Sequence, residues 1–67
     1  MGLENLTVRE REIVRLILEE KSSSQISKIL GISNKTVESH RKNIYLKSGV
    51  KSIVGLVKVA MAHKNQL

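Results

Sequence analysis

An all-α domain of four helices is the fold class this sequence predicts, and three observations predict it. The 67 residues contain no proline, and Tyr45 is their single aromatic residue. Thr7, Ser22, Ser33 and Ser52 each stand where a helix cap should stand, just ahead of apolar residues at helical spacing. Strands favour aromatic and β-branched side chains in strict alternation, a pattern missing here. A chain this short folds as one domain and buries only about 60% of the surface its unfolded form exposes, which favours a helical core built from local contacts. Low complexity is confined to Ser22-Ser23-Ser24, and there is no internal repeat.

The first helix begins after Thr7. Glu10 follows three residues later, so the cap hydroxyl and the carboxylate can each satisfy a free backbone donor, with Leu6 ahead as a hydrophobic staple. Ile13, Val14, Ile17 and Leu18 then recur at helical spacing, and the helix is expected to run from Val8 to about Glu20. Arg9, Glu12, Arg15 and Glu19 form its exposed face. The run Arg9-Glu10-Arg11-Glu12 reads as solvated surface with salt bridges, or as a contact for a partner domain.

Lys21-Ser22-Ser23-Ser24 breaks the pattern, and Ser22 with Gln25 repeats the capping arithmetic for a short second helix. Ile26, Ile29 and Leu30 are its expected inner face. Gly31 can adopt the positive φ of a helix end, and Ile32 returns an apolar side chain to the core. Ser33 caps a third helix, expected over Asn34 to Ser48. At about 100° per residue, Val37, His40, Ile44 and Ser48 fall on its inward side, and Lys35, Glu38, Ser39 and Lys42 on its outward side. His40 reads as a hydrogen-bonded core or edge histidine or, alternatively, a phosphate contact. Tyr45 reads as packing.

Gly49 is a second left-handed cap, Val50 re-enters the core, and Ser52 starts a fourth helix expected to reach about His63, whose charge suits a helix C-terminus. That helix, Ile53-Val54-Gly55-Leu56-Val57-Lys58-Val59-Ala60-Met61-Ala62, is apolar nearly all round. With Ile53, Leu56, Val57 and Ala60 facing the core, Val54 and Met61 are left outside, flanking Lys58. Such an exposed apolar stripe marks an interface. Val54, Lys58 and Met61 are therefore the expected dimerisation residues, with contact to a neighbouring domain or plain exposure as the other readings.

Several function classes are excluded or weakened by composition. There is no cysteine, hence no disulfide and no thiolate metal site, which fits a reducing cytoplasm. His40 and His63 are far apart, and no metal or cofactor site is expected. Nothing supplies a nucleophile with its base or a carboxylate dyad, so an enzyme is not expected. The apolar stretch Ile53 to Ala62 is about half of a membrane span. The opening residues Met1 to Asn5 lack the basic start and apolar run of a signal peptide.

Charge supplies the first functional pointer. The formal net charge is +6, but residues 1–20 carry three bases against five acids, whereas residues 21–67 carry nine bases against the single acid Glu38. The partner of this second part is expected to be a polyanion, the alternative being a solvated surface with surplus lysine. A short helix, a glycine turn and a capped second helix make a helix-turn-helix. The major groove of DNA, about 12 Å wide, admits one helix whose outward side chains meet base edges. Lys35, Glu38, Ser39 and Lys42 are the candidate base readers. Lysine donates to guanine, glutamate accepts from cytosine N4, and serine does either. Thr36, Arg41, Lys47 and Lys51, with the free amides around Ser22, Ser23 and Ser24, are the candidate phosphate contacts.

The string Leu6-Thr7-x-Arg9-Glu10-x-Glu12-Ile13, then Ile26, Leu30-Gly31-Ile32-Ser33, Lys35-Thr36-Val37, His40, Ile44, Lys47 and Gly49-Val50 resembles the LuxR/NarL/FixJ (GerE-like) DNA-binding domain of bacterial transcription regulators. The resemblance runs from about Leu6 to His63. It implies a tetrahelical helix-turn-helix domain over residues 6–64, with residues 1–5 an extension or linker and 65–67 a tail. It also implies a third helix in the major groove, base reading by Glu38, Ser39 and Lys42, and a homodimer on promoter or operator DNA through the fourth helix. Such domains commonly form the output end of a two-component response regulator acting on the transcription machinery; others follow a small-molecule sensor domain or stand alone. The chain holds no aspartate, so a phosphoacceptor aspartate would lie outside these residues.

The sequence departs from that pattern at four places that bear on packing: Glu20-Lys21 replaces the glycine after the first helix, Ser27 an alanine, Ser48 a leucine, and Gly55 an acid near the fourth cap. A fifth, Glu38, stands where many members carry lysine. It must find a base amine or a helix salt bridge with Lys35, Arg41 or Lys42. The rival class is a protein-interaction module using the apolar fourth helix with little DNA binding. An RNA adaptor is disfavoured by the absence of stacking aromatics.

Overall fold

The computed structural model describes residues 5–62. Four helices follow in order: α1 (Val8–Leu18), α2 (Ser23–Leu30), α3 (Asn34–Ser48) and α4 (Ile53–Ala62). There is no strand among the described residues. The readings made for Met1 to Glu4, His63 and Lys64 lie outside the described residues. Within them, α3 packs against each of the other three helices, and α1 also meets α4.

The helix starts follow from their caps. The Thr7 hydroxyl accepts from the Glu10 N–H at 3.1 Å while Glu10 Oε1 accepts from the Thr7 N–H at 2.9 Å. Ser22 and Gln25 repeat the arrangement at α2, at 3.2 and 2.8 Å. Each box satisfies two of the backbone donors that a helix start leaves free. At α3, Ser33 accepts from the Thr36 N–H at 3.1 Å, and at α4, Ser52 accepts from the Gly55 N–H at 3.2 Å. Gly31 and Gly49 hold φ of 68° and 75° beyond α2 and α3. Only glycine adopts that conformation without the clash of a Cβ.

The core consists of Leu6, Ile13, Val14, Ile17, Ile26, Val37, Ile44, Leu56 and Ala60. Leu6 is a core residue in its own right rather than only a lid on the first turn. Ser48, on the inward side of α3, is buried, and its hydroxyl donates to the Ile44 carbonyl at 2.7 Å, so the serine is satisfied locally where a leucine would fill space.

Four expectations are corrected. First, α1 stops at Leu18 instead of Glu20. Glu20 takes φ 64°, and the Glu20 and Lys21 N–H groups donate to the Ile17 and Leu16 carbonyls at 2.9 and 3.1 Å, the two bonds of a Schellman end. Second, Glu10 is only 3% exposed, and Arg9, Arg11 and Glu12 are half-buried. The run is therefore not solvated surface throughout, because the end of α3 closes over Glu10. Third, Ile29 is 54% exposed. On a helix as short as α2, Ile26 occupies the core and Leu30 its margin, and Ile29 lies one position round on the outer side, beside Glu12, Arg15 and Leu16. Fourth, Ile53 is 42% exposed, since α4 is covered on one side only and Leu56 and Ala60 occupy that side. Gly55 has a steric role besides. A Cβ there would come within 3.3 Å of Val50 Cβ, so the missing side chain lets α4 start close against the turn that precedes it.

Glu20 carries the cost of a left-handed L-residue, roughly 1–2 kcal/mol. Glu20→Gly is expected to stabilise the fold by about 1 kcal/mol, offset in part by the greater entropy of its unfolded chain. In thermal unfolding this corresponds to a rise in Tm of about 4–8 °C for a domain of this size.

Candidate nucleic-acid interface

The turn between α2 and α3 sets the geometry. The Ile32 N–H donates to the Ser27 carbonyl at 3.0 Å through the left-handed Gly31, and Ser33 caps α3 immediately afterwards. This is the short helix, tight turn and second helix that the caps predict. Val37 and Ile44 are completely buried and Ser48 nearly so, with His40 half-buried beside them. Lys35, Glu38, Ser39 and Lys42 are all exposed. The split of α3 into a seated side and a polar outer side, with two lysines, one glutamate and one serine, therefore holds at each of these positions.

The candidate phosphate contacts do not form one class. Thr36 and Lys51 are exposed, as are Ser22 and Ser24. The Thr36 hydroxyl lies 2.9 Å from that of Ser33. Ser23 and Arg41 are half-buried and engaged with each other: Arg41 Nη1 donates to Ser23 Oγ at 2.9 Å, and Arg41 Nη2 to the Tyr45 hydroxyl at 3.3 Å. Tyr45 thus both packs and anchors a guanidinium. Lys47 turns toward α1, its Nζ 2.8 Å from Glu10 Oε1.

Glu38 does not form the helix salt bridge expected as one of its options. Its Oε2 accepts from the Ser23 hydroxyl at 2.6 Å, a short, charge-assisted bond. Among the described residues no lysine or arginine forms a direct ion pair with it. Sequence reasoning missed this contact, since Ser23 and Glu38 stand fifteen positions apart. The only pointer in the sequence is that both residues fall among the expected DNA contacts.

The ion pair of Lys47 with Glu10 fastens the end of α3 to the start of α1. The carboxylate is 4% exposed and the lysine side chain 35%. Burial is the strongest influence on Glu10 and by itself would raise its pKa. The hydrogen bonds from Lys47 and Thr7 and the Lys47 charge together outweigh it, holding the group below its ordinary value of 4.5.

The outer surface of α4 is apolar. Val54 and Met61 are 61% and 57% exposed, and Ile53, Val54, Val57 and Lys58 line a shallow depression on it. Among the described residues, no group of three or more histidine, cysteine or acidic side chains could hold a metal ion, and no helix is long and apolar enough to cross a membrane.

A seated helix that presents a polar, cationic face behind a glycine turn defines a helix-turn-helix DNA-binding domain. Comparison with known proteins identifies its kind: residues 4–60 match the family described as bacterial regulatory proteins, luxR family. The chain belongs to this family, as a non-enzymatic DNA-binding domain of a transcription regulator. It is 42% identical over 92% of its length to the transcriptional regulatory protein MctR of Rhizobium johnstonii, covering 29% of that protein. To the response regulatory protein YgeK of Escherichia coli it is 46% identical over 84% of its length, covering 38% of the relative. Among solved structures, the response regulator RcsB of Salmonella typhimurium superposes with a TM-score of 0.84 at 30% identity, over 88% of this chain and 29% of that one. VqmA of Vibrio cholerae, in a complex with ligand and DNA, gives 0.80 at 37% identity, over 85% and 25%. The chain thus spans well under half the length of these relatives.

Because the folded pKa of Glu10 lies below its unfolded value, its stabilisation is fully present above about pH 4.5 and is lost as pH falls through the lowered folded value. Lys47→Ala should destabilise by about 1–2 kcal/mol at neutral pH, leaving a buried carboxylate without its cation. It should also abolish or reverse the acid-side loss, because burial then dominates. Urea midpoints of both proteins at pH 7 and about pH 3 check both effects.

Proposed function

We propose that this domain reads double-stranded DNA sequence-specifically, with α3 in the major groove. The observation that carries the reading is the two-sidedness of α3: Val37 and Ile44 are fully buried while Lys35, Glu38, Ser39 and Lys42 stand exposed on the opposite side. These four meet base edges. Thr36, Lys51 and the exposed start of α2 at Ser24 hold the phosphates on either side, the Ser22 N–H being already given to Gln25. Lys47 belongs to the fold, since its charge is committed to Glu10.

A single domain of this size makes too few contacts for tight, selective binding, so two copies act side by side. The uncovered apolar side of α4, around Val54, Lys58 and Met61, supports dimerisation there. The coverage of the relatives supports a further domain, a receiver or a sensor, preceding or following this one in the complete regulator. The response-regulator names of several relatives favour the receiver, and with it two-component control of promoter DNA in the cytoplasm.

Selection from a random double-stranded pool, followed by mobility shift at two salt concentrations, tests the reading. A recovered motif of two half-sites with steep salt dependence is the expected result. Binding that is weak at low salt and indifferent to salt would favour a protein-docking module instead. Lys42→Ala is expected to lose about 1–3 kcal/mol on the selected site and to relax one base position. Lys51→Ala should weaken all sequences alike and lower the salt slope by about 1. Val54→Asp or Met61→Asp should abolish cooperative binding of two copies with unchanged helical circular dichroism; cooperativity retained in both would place the interface elsewhere.

A further inference from the structure

Four side chains form a chain of hydrogen bonds across the junction of α2 and α3, running from Tyr45 through Arg41 and Ser23 to Glu38. The direction of every proton in it is forced. Arginine is always charged and only donates, so Ser23 Oγ must accept from Arg41. The hydroxyl has one proton, and that proton goes to Glu38 Oε2 at 2.6 Å. Donation by a guanidinium into the serine oxygen also polarises its O–H, which strengthens the bond to the carboxylate.

The two middle members of this chain are anchored. Ser23 is the first residue of α2, and the box between Ser22 and Gln25 fixes the backbone beside it. Arg41 is half-buried and tied by its second nitrogen to the Tyr45 hydroxyl. Glu38 itself is exposed on the outer side of α3, where an unrestrained glutamate would sample many rotamers and be driven away by DNA phosphates. Lys35 and Lys42, three and four residues away along the helix, are the partners that would otherwise capture it. Holding Oε2 through Ser23 leaves Oε1, which has no protein partner among the described residues, to face outward as an acceptor.

We propose that Ser23 and Arg41 are positioning residues for Glu38, and that the carboxylate so held reads a base bearing an exocyclic amine in the major groove, cytosine through N4 before adenine through N6. This inference rests on the DNA-reading assignment above. It departs from the expectation that the Arg41 side chain contacts phosphate, since one N–H of each of its terminal nitrogens is directed to Ser23 and Tyr45, and it gives the Ser23 hydroxyl, whose one proton goes to Glu38, a role apart from the backbone amides at the start of α2. Base selectivity at one position therefore depends on a residue of α2 that touches no base.

The test is selection of bound sequences by the wild-type chain, Ser23→Ala, Ser23→Thr, Glu38→Gln and the double variant Ser23→Ala/Glu38→Gln, with thermal unfolding of each. Glu38→Gln identifies the base pair that the carboxylate reads. Ser23→Ala is expected to lower preference at that same pair by about 3- to 10-fold, the range of one hydrogen bond, with the wild-type salt slope. Ser23→Thr, which keeps the hydroxyl, restores it. The double variant should lose no more than Glu38→Gln alone, because the serine acts only through the carboxylate. If Ser23→Ala selects as the wild type does, the positioning role is overturned while DNA reading stands. If it weakens all sequences equally and shallows the salt slope, Ser23 is a phosphate contact and the inference is wrong. A wild-type chain that enriches no sequence would sink the DNA-reading assignment and this inference with it.

Discussion

The seating of Val37 and Ile44 is the constraint on which the rest of the molecule depends. Both are entirely excluded from solvent, and removing either side chain would cost roughly 2–5 kcal/mol for an isoleucine and somewhat less for a valine, a large share of what a domain this small can have in reserve. Once these two positions are fixed, helical geometry fixes the bearing of every other residue on α3. Lys35, Glu38, Ser39 and Lys42 face outward because the helix cannot rotate without unseating its core residues. A groove-reading helix requires such rigidity, since a turn of one residue, about 100°, would present a different set of side chains.

Polar groups supply a second layer of fixation at the two ends of α3. At its start, Ser33 caps the helix and the left-handed Gly31 sets the angle at which it leaves α2. At its end, Lys47 reaches back to Glu10. The same Glu10 oxygen accepts from the Thr7 backbone, so one carboxylate closes the first turn of α1 and holds the last turn of α3. A surface pair of this kind would contribute little. Here the acid is nearly inaccessible, and the loss of its lysine leaves a charge stranded. Two of the candidate DNA cations, Arg41 and Lys47, are thereby drawn into the architecture, and the candidates Lys35, Lys42 and Lys51 stand exposed.

The local rules were legible and the tertiary ones were not, for identifiable reasons. Caps, glycine ends and the two sides of α3 depend on residues three or four positions apart, and each was read directly: the Thr7 and Ser22 boxes, Gly31, Gly49, and the inward set of α3. Ile29 was misplaced because eight residues of helix carry too few turns to separate a core position from one a third of a turn away. Ile53 was misplaced because a helix apolar all round has no periodic signal to say which side is covered. The burial of Glu10 depends on Lys47, thirty-seven positions on, and the capping box accounts for the direction of the carboxylate without revealing what closes over it. Glu38 was rightly singled out as the acid that must find a partner, yet its partner lay on another helix, beyond the reach of helix-pair rules.

Within 67 residues the groups that hold the fold are kept apart from the outer face of α3. The apolar core lies where α3 meets the other three helices, the Glu10–Lys47 clamp on its α1 side, and the hydrogen-bond chain through Ser23 on its α2 side. Change on the outer face of α3 is therefore tolerated by the fold, because Lys35, Ser39 and Lys42 stand exposed outside the core. The exception is Glu38, which is joined to the scaffold through Ser23 and Arg41. On the proposed reading, a substitution at Ser23 or Tyr45 alters base preference without removing a base contact, and a substitution at Glu38 frees the Ser23 hydroxyl for another partner. The proposed specificity is in this sense a property of the α2–α3 junction as a whole, since the orientation of Glu38 is set by Ser23 and Arg41 behind it.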